Sequence, residues 1–249
     1  ITRLDDNPAN TGSVDFKVTF SENVSGVDTS DFGVTKVSGM IDGYSVSGIS
    51  GSDANYTVTV DTGSGDGEIR LDLNDDDSIV DGVGNKLGGD GTQDYTSGPS
   101  YTIDKSAPDW VPSVPDMTDG TDLGTSNSDN VTSDNTPTFE GTTNSNTKVE
   151  VFRGGSTSLG TTTADGSGNW SLTSSAIPNG DYTITAKAVD DAGNEGDPSD
   201  GLSITIDAAA PTVNSLSPED DSQSVSYGSN LIVTFSEEVV IGSGNIVIK

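Results

Sequence analysis

Apolar residues in this chain fall on every second position in short runs. Val14, Phe16, Val18 and Phe20 share one face of a first run, followed by Tyr56, Val58 and Val60, then Ile69, Leu71 and Leu73, then Tyr101 and Ile103. The alternation returns in Val149 and Val151, in Trp170 and Leu172, in Tyr182, Ile184, Ala186 and Ala188, and in Leu202, Ile204 and Ile206. Successive side chains of an extended strand point to opposite faces, so each run predicts a strand with one face buried. Turn dipeptides such as Asp66-Gly67 and Asn179-Gly180 separate the runs. No long stretch repeats apolar positions at i, i+3, i+4 and i+7, so no amphipathic helix is predicted. Trp170 and Tyr182 sit within the alternation and are expected in the core rather than on a sugar-stacking surface.

The strand pattern repeats along the chain, and the repeat sets the expected domains. Tyr101-Thr-Ile-Asp104, followed by Lys-Ser-Ala-Pro108, matches Ile204-Thr-Ile-Asp207, followed by Ala-Ala-Ala-Pro211. Val18-Thr-Phe-Ser-Glu22 matches Val233-Thr-Phe-Ser-Glu237, and Asp81-Gly-Val-Gly-Asn85 resembles Asp190-Asp-Ala-Gly-Asn194. These echoes predict domains at 1–107 (nearly complete), 108–210 and 211–249 (truncated, too short to close a sandwich core). Pro108, Pro112 and Pro115 mark the first boundary, since proline cannot join a central strand. About seven strands per repeat, with turns between them, predict an all-β fold: tandem immunoglobulin-like β-sandwich domains in an elongated array.

Composition narrows the chemistry. There is no Cys and no His, which removes disulfides, thiolate sites, the usual zinc sites and the commonest general base. No run of eighteen apolar residues exists, so no membrane insertion is expected. No signal peptide is visible, and the chain starts inside a strand-like segment as an excised piece would. A formal charge of −30 repels nucleic acid, which is not expected as a partner. Of the acids, 32 are Asp and 8 Glu, which favours loop chemistry over a helical solvating surface. An enzyme is not expected. Among forty acidic residues a pair at glycosidase spacing arises by chance, and Glu22 and Glu237 occupy equivalent repeat positions.

The segment 108–210 carries Gly124-Thr-Ser-Asn-Ser-Asp-Asn130, Asp134-Asn-Thr-Pro-Thr-Phe-Glu-Gly141, Gly160 through Trp170, and Ala188-Val-Asp-Asp-Ala-Gly-Asn194. These motifs resemble the bacterial Ig-like repeats of large secreted, calcium-dependent adhesins. The segment from Pro211, with Ser215-Leu-Ser-Pro-Glu-Asp220 and Val233-Thr-Phe-Ser-Glu237, resembles Ig-like modules of surface-layer-type proteins, and 1–107 resembles a relative of these. The resemblance implies a non-catalytic extender segment of a repetitive adhesin, outside the bacterial cell and on its surface, with neighbouring Ig-like domains as its first partners. A surface-layer or filament subunit, assembling with other copies, is the alternative. Accessory modules of a secreted enzyme are another.

The same resemblance implies several structural Ca2+ ions held by Asp residues at domain junctions, and calcium needs six to eight oxygen ligands. The candidates fall into groups that sandwich topology places at domain ends. Asp5, Asp6, Asp104, Asp190, Asp191 and Asn194 are expected to converge between the first two domains. Asp129, Asp134, Asn135 and Asp207 are expected to face the third, and Asp75, Asp76, Asp77, Asp81 and Asn85 a preceding domain. The competing reading is turn chemistry, with Asp side chains bonding their own loop backbones. Two known calcium motifs are dismissed. Gly88-Gly-Asp-Gly-Thr-Gln93 has Gln where an acidic ligand belongs, and Asp72-x-Asn74-x-Asp76 has Asp77 where an EF-hand needs Gly.

Overall fold

The computed structural model describes residues 1–89 and 91–240. Asp90, within the dismissed Gly88–Gln93 stretch, and residues 241–249, the end of the third expected domain, lie outside the described residues. The protein is built almost wholly of strands, with one 3-10 turn at Thr29–Asp31 among the described residues.

Residues 1–107 supply β1 (Thr2–Arg3), β2 (Ser13–Thr19), β3 (Val24–Ser25), β4 (Phe32–Gly39), β5 (Ser45–Ser52), β6 (Asn55–Asp61), β7 (Gly67–Leu73), β8 (Val80–Asp81) and β9 (Ser100–Ile103). One sheet runs β1-β2-β6-β5, a second β4-β7-β9, and β3-β8 form a small ribbon. The alternation fixes the register. Val14, Phe16 and Val18 of β2 stand opposite Val60, Val58 and Tyr56 of β6, so apolar residues face the same side on both strands. Phe16, Val58, Val60, Ile69, Leu71 and Tyr101 are fully buried in one core, to which both sheets contribute. The segment 7–9 runs beside β9, where the Thr102 N–H donates to Asn7 Oδ1 (2.7 Å) and the Ala9 N–H to the Thr102 carbonyl (2.9 Å).

Residues 108–210 supply β10 (Asp116–Met117), β11 (Val131–Thr132), β12 (Thr138–Thr142), β13 (Lys148–Arg153), β14 (Thr157–Thr163), β15 (Asn169–Thr173), β16 (Gly180–Val189) and β17 (Leu202–Ile206). Their sheets run β10-β12-β15 and β11-β17-β16-β13-β14. Trp170 is buried, as its place in the alternation predicted, and Tyr182 is half-buried. The Trp170 ring lies against Gly141, where a β-carbon would come within 2.5 Å of it. From Val213 onward, β18 (Val213–Ser217) and β19 (Ile232–Phe235) form an antiparallel pair.

Cα proximity gathers the chain into two compact units. One comprises 1–116, 139–172 and 183–202; the other comprises 117–138, 173–182 and the residues from Ser203 on.

Candidate functional site: the aspartate loops

The acidic loops follow a shared local plan. Asp81–Asn85, Asp165–Asn169 and Asp190–Asn194 all read Asp-x-x-Gly-Asn, and all close in the same way. In each, the Asp N–H donates to the Asn carbonyl (2.9, 2.8 and 3.1 Å) and the Gly N–H to the Asp carbonyl (3.3, 2.9 and 3.2 Å). The Asp Oδ1 accepts the Asn N–H at 2.8, 2.9 and 2.8 Å, and Oδ2 faces the Asn amide nitrogen at 2.7, 3.5 and 2.9 Å. The fourth residue needs φ near +90° (94, 86 and 87°), which glycine adopts without strain. N–H donors of Asn85 and Val83 hold the Asp81 carboxyl below its ordinary value, and those of Asn169 and Ser167 do the same for Asp165. Five residues therefore suffice to make the loop. The third copy, at 165–169, was legible from this spacing but escaped the comparison of repeats.

The Asp165 loop also meets outside groups, its Gly168 and Asp165 carbonyls accepting the Thr143 (2.8 Å) and Asn146 (3.3 Å) N–H groups, but the Asp190 loop is bonded outward through its Asn side chain. Asn194 Nδ2 also donates to the Asp104 carbonyl (2.9 Å), and its Oδ1 accepts from Asn10 Nδ2 (3.2 Å). Asp5 and Asp6, both exposed, line a pocket with Pro8, Asn10 and Ala192. Asp5 is engaged elsewhere as well: its Oδ2 accepts the Asp15 N–H (2.6 Å) and its own N–H donates to the Tyr101 hydroxyl (2.7 Å). The Asp104 Oδ1 accepts the Ser106 N–H (3.2 Å), and Asp191 is exposed. The structure thus brings the first candidate group to one place, but the bonds across it come from amides and a carbonyl. Asn10, which carries one of them, was not singled out in the sequence, because nothing local distinguishes it.

In the 74–94 loop, Asp75 is buried. Its Oδ1 accepts the Asp77 N–H (3.1 Å) and its Oδ2 the Gln93 N–H (2.8 Å). Asp76 Oδ1 accepts the Ser78 N–H (3.0 Å), and the Ser78 bonds lower its pKa. Asp77 Oδ2 pairs with Lys86 Nζ (3.0 Å), while its Oδ1 is buried without a partner among the described residues. Asp81 and Asn85 close their own loop as above. Asp129 Oδ1 accepts the Val131 N–H (3.1 Å), and Asp134 Oδ1 accepts the Thr136 N–H (2.8 Å). The Asn135 carbonyl accepts the Ile177 N–H (2.7 Å), and Asp207 Oδ1 accepts from Asn179 Nδ2 (3.3 Å). Most candidates therefore hold loop backbone. Among the described residues, no group of three or more acidic side chains is arranged to hold a metal ion.

One carboxylate outside the candidate set differs. Asp122 is 2% exposed; its Oδ2 accepts the Asn130 N–H (3.0 Å), and its Oδ1 is buried with no partner among the described residues. An ionised oxygen buried without a donor is costly unless a proton, water or cation meets it. Asp122 lies two residues before the Gly124–Asn130 motif, but burial is not visible in a sequence where Asp abounds.

Residues 107–208 match the family model described as bacterial Ig-like domain. This segment is similar to bacterial Ig-like domains. It contains the Asp165 and Asp190 loops and Asp122, and both of its sheets are those of 108–210 above. No curated protein matches the chain. Among solved structures, the BSP domain of a biofilm-associated protein is 14% identical, over 84% of this chain and 30% of its own, with a TM-score of 0.28. The D0-D1 domain of Intimin is 12% identical, over 80% of this chain and 93% of its own, with a TM-score of 0.24. SGBP-B of the Bacteroides ovatus mixed-linkage glucan utilization locus, in complex with a mixed-linkage heptasaccharide, is 12% identical. It is matched over 82% of this chain and 44% of its own, with a TM-score of 0.22. The chain spans about 30% of the length of the first of these structures. No helix among the described residues is long and apolar enough to cross a membrane.

Proposed function

We propose that this chain is a non-catalytic extender segment of a repetitive bacterial surface adhesin, in which Ig-like domains follow one another at fixed joints. The observation that carries this reading is the joint itself: the Asp190–Asn194 loop of the Ig-like domain is bonded to Asp104, at the end of β9, and to Asn10. An extender holds a terminal binding domain away from the cell, so its task is mechanical and its chemistry lies in what limits rotation between domains. The domain assignment 1–107, 108–210 and 211–249 belongs to this proposal, as do the extracellular location and the neighbouring Ig-like domains as partners.

Calcium enters the proposal at Asp122, whose Oδ1 is buried without a partner among the described residues. That oxygen would supply one ligand, and oxygens of Asp129, Asp134 and backbone carbonyls in the same stretch would have to close on the ion to complete its set. A divalent ion there neutralises charge. The chain's own residues position the ligand, since the Asn130 N–H fixes one Asp122 oxygen and the Thr132 hydroxyl ties the loop to the Thr121 carbonyl (2.5 Å). The joint at Asp104 fits a cation less well, because Asp190 accepts N–H donors on both oxygens. A ligand that binds only the folded state raises its stability. A thermal melt and small-angle scattering in EDTA and in millimolar calcium test the reading. Calcium is expected to raise the melting temperature and the maximum dimension of the wild type, and Asp122→Asn to abolish the rise in melting temperature. An unchanged melting temperature in the wild type removes calcium from the reading, and a maximum dimension too short for domains in series removes the extender.

A further inference from the structure

Three loops with one plan provide an internal comparison. Asn85 and Asn169 turn their amides toward Asp81 and Asp165 within their own loops. Asn194 uses its whole amide: one N–H goes to Asp190 Oδ2 (2.9 Å), the other to the Asp104 carbonyl (2.9 Å), and Oδ1 accepts from Asn10 Nδ2 (3.2 Å). A primary amide offers two donors and an acceptor on one planar group, and all three are used. No carboxylate can replace it. Aspartate at 194 would set oxygen against the Asp190 carboxylate and the Asp104 carbonyl, two acceptors facing an acceptor.

The linker is held on both sides of these bonds. Asp66 Oδ1 accepts the Lys105 N–H (2.6 Å), its Oδ2 accepts the Ser106 hydroxyl, and Lys105 Nζ donates to the Gly63 carbonyl (2.5 Å), which fixes 105–106 to residues 1–107. These bonds, the Ser106 hydroxyl foremost, keep the Asp66 carboxyl below its ordinary value, so it is ionised at neutral pH. On the other side, the Pro108 carbonyl lies so close over Gly196 that a β-carbon there would sit 2.9 Å from it. Gly196 is itself pinned, its N–H donating to the Ala188 carbonyl (2.9 Å).

We propose that Asn194 is a metal-independent latch that fixes the joint between residues 1–107 and the bacterial Ig-like domain. The inference rests on reading the chain as Ig-like domains in series, but not on calcium. Neutral amide bonds carry no charge to neutralise, so the joint stays closed when divalent ions are removed. Two bonds across the joint depend on this one side chain, and their loss raises the open fraction about tenfold or more.

The chain has no cysteine, so two introduced labels report the joint without background. Ser50→Cys and Thr161→Cys place spin labels on exposed strand positions of β5 and β14. Double electron–electron resonance on the full chain in EDTA is expected to give one narrow distance distribution, unchanged by calcium. Asn194→Ala and Asn194→Asp broaden it, and Asn169→Ala, which disturbs only its own loop, leaves it narrow. Asn10→Ala leaves the Asp190 loop intact and removes one cross-joint partner, so broadening in that variant assigns the effect to the latch even if the Asn194 variants misfold. A broad distribution for the wild type in EDTA overturns the latch, and if calcium then narrows it, the calcium-stiffened extender survives alone. A distribution that stays narrow in both folded Asn194→Ala and Asn10→Ala also overturns it.

Discussion

Removing one hydroxyl, in Tyr101→Phe, tests how the segment bearing Asp5, Asp6 and Asn10 is held. Tyr101 is fully buried, its ring edge-on to Phe16 at 5.0 Å and 79°. Burial pushes its hydroxyl above the ordinary pKa, so the group is neutral. The hydroxyl donates to the Asp15 carbonyl (2.9 Å) and accepts N–H bonds from Leu4 (2.9 Å) and Asp5 (2.7 Å). Phenylalanine keeps the ring packing and deletes all three bonds. The Leu4 N–H and the Asp15 carbonyl still have each other at 3.1 Å, but the Asp5 N–H is left without its acceptor. At about 1 kcal/mol net per bond, with one donor stranded in a part-buried site, the cost is about 2 kcal/mol. For a domain of this size that lowers the melting temperature by roughly 10 °C. Four of the six tyrosines lie within residues 1–107 and both tryptophans outside it, so in urea unfolding the tyrosine band of near-ultraviolet dichroism weights this segment while tryptophan fluorescence follows the rest. The same loss is expected in EDTA and in calcium. A change below about 0.5 kcal/mol would refute the claim that the hydroxyl fastens the 4–10 segment.

Gly141→Ala forces a β-carbon to 2.5 Å from Trp170 Cζ2 and 2.8 Å from Ser113 Oγ, and is expected to cost about 1–3 kcal/mol. An unchanged melting temperature would show that the Trp170 pocket yields freely. The loop carboxylates set an acid limit. The folded pKa values of Asp81 and Asp165 are lowered, so their stabilisation is complete above the unfolded value of about 3.9 and is lost as pH falls through the lower folded values. The melting temperature should therefore drop in that window, and the drop should shrink in the double variant Asp81→Asn, Asp165→Asn. An identical pH profile for that variant and the wild type would place the acid sensitivity elsewhere.

Much of the fold was legible because its cause is local. Each predicted run became a strand with most of its expected face buried, since alternation in a strand leaves one solution for the side facing the core; Phe20 falls just past β2, and Tyr56, Leu172, Tyr182 and Leu202 are half-buried. Strands with weaker patterns, such as β5 with its two glycines and four serines, gave no comparable signal. The five-residue Asp-x-x-Gly-Asn loops are local too: Asp bonding of nearby N–H groups and a glycine at positive φ explain them without distant contacts. In Asp190, Asp81, Asp129 and Asp134, turn chemistry is what the carboxylates perform.

The sequence by itself therefore determined the strands, their faces and the form of the acidic loops, because each depends on residues within a few positions of one another. Tertiary structure decided which of three like loops meets a foreign carbonyl through its Asn side chain and which acids, Asp31, Asp72, Asp75 and Asp122 among the described residues, are buried. Asn194 finds Asp104 across 90 residues and Asn10 across 184. Asp122 loses its solvent only because the 122–130 segment folds over it, with the Asn130 N–H reaching one oxygen and not the other. Hydrogen-bonding capacity is a property of the residue, whereas its use and its burial are properties of the chain's long-range pairing.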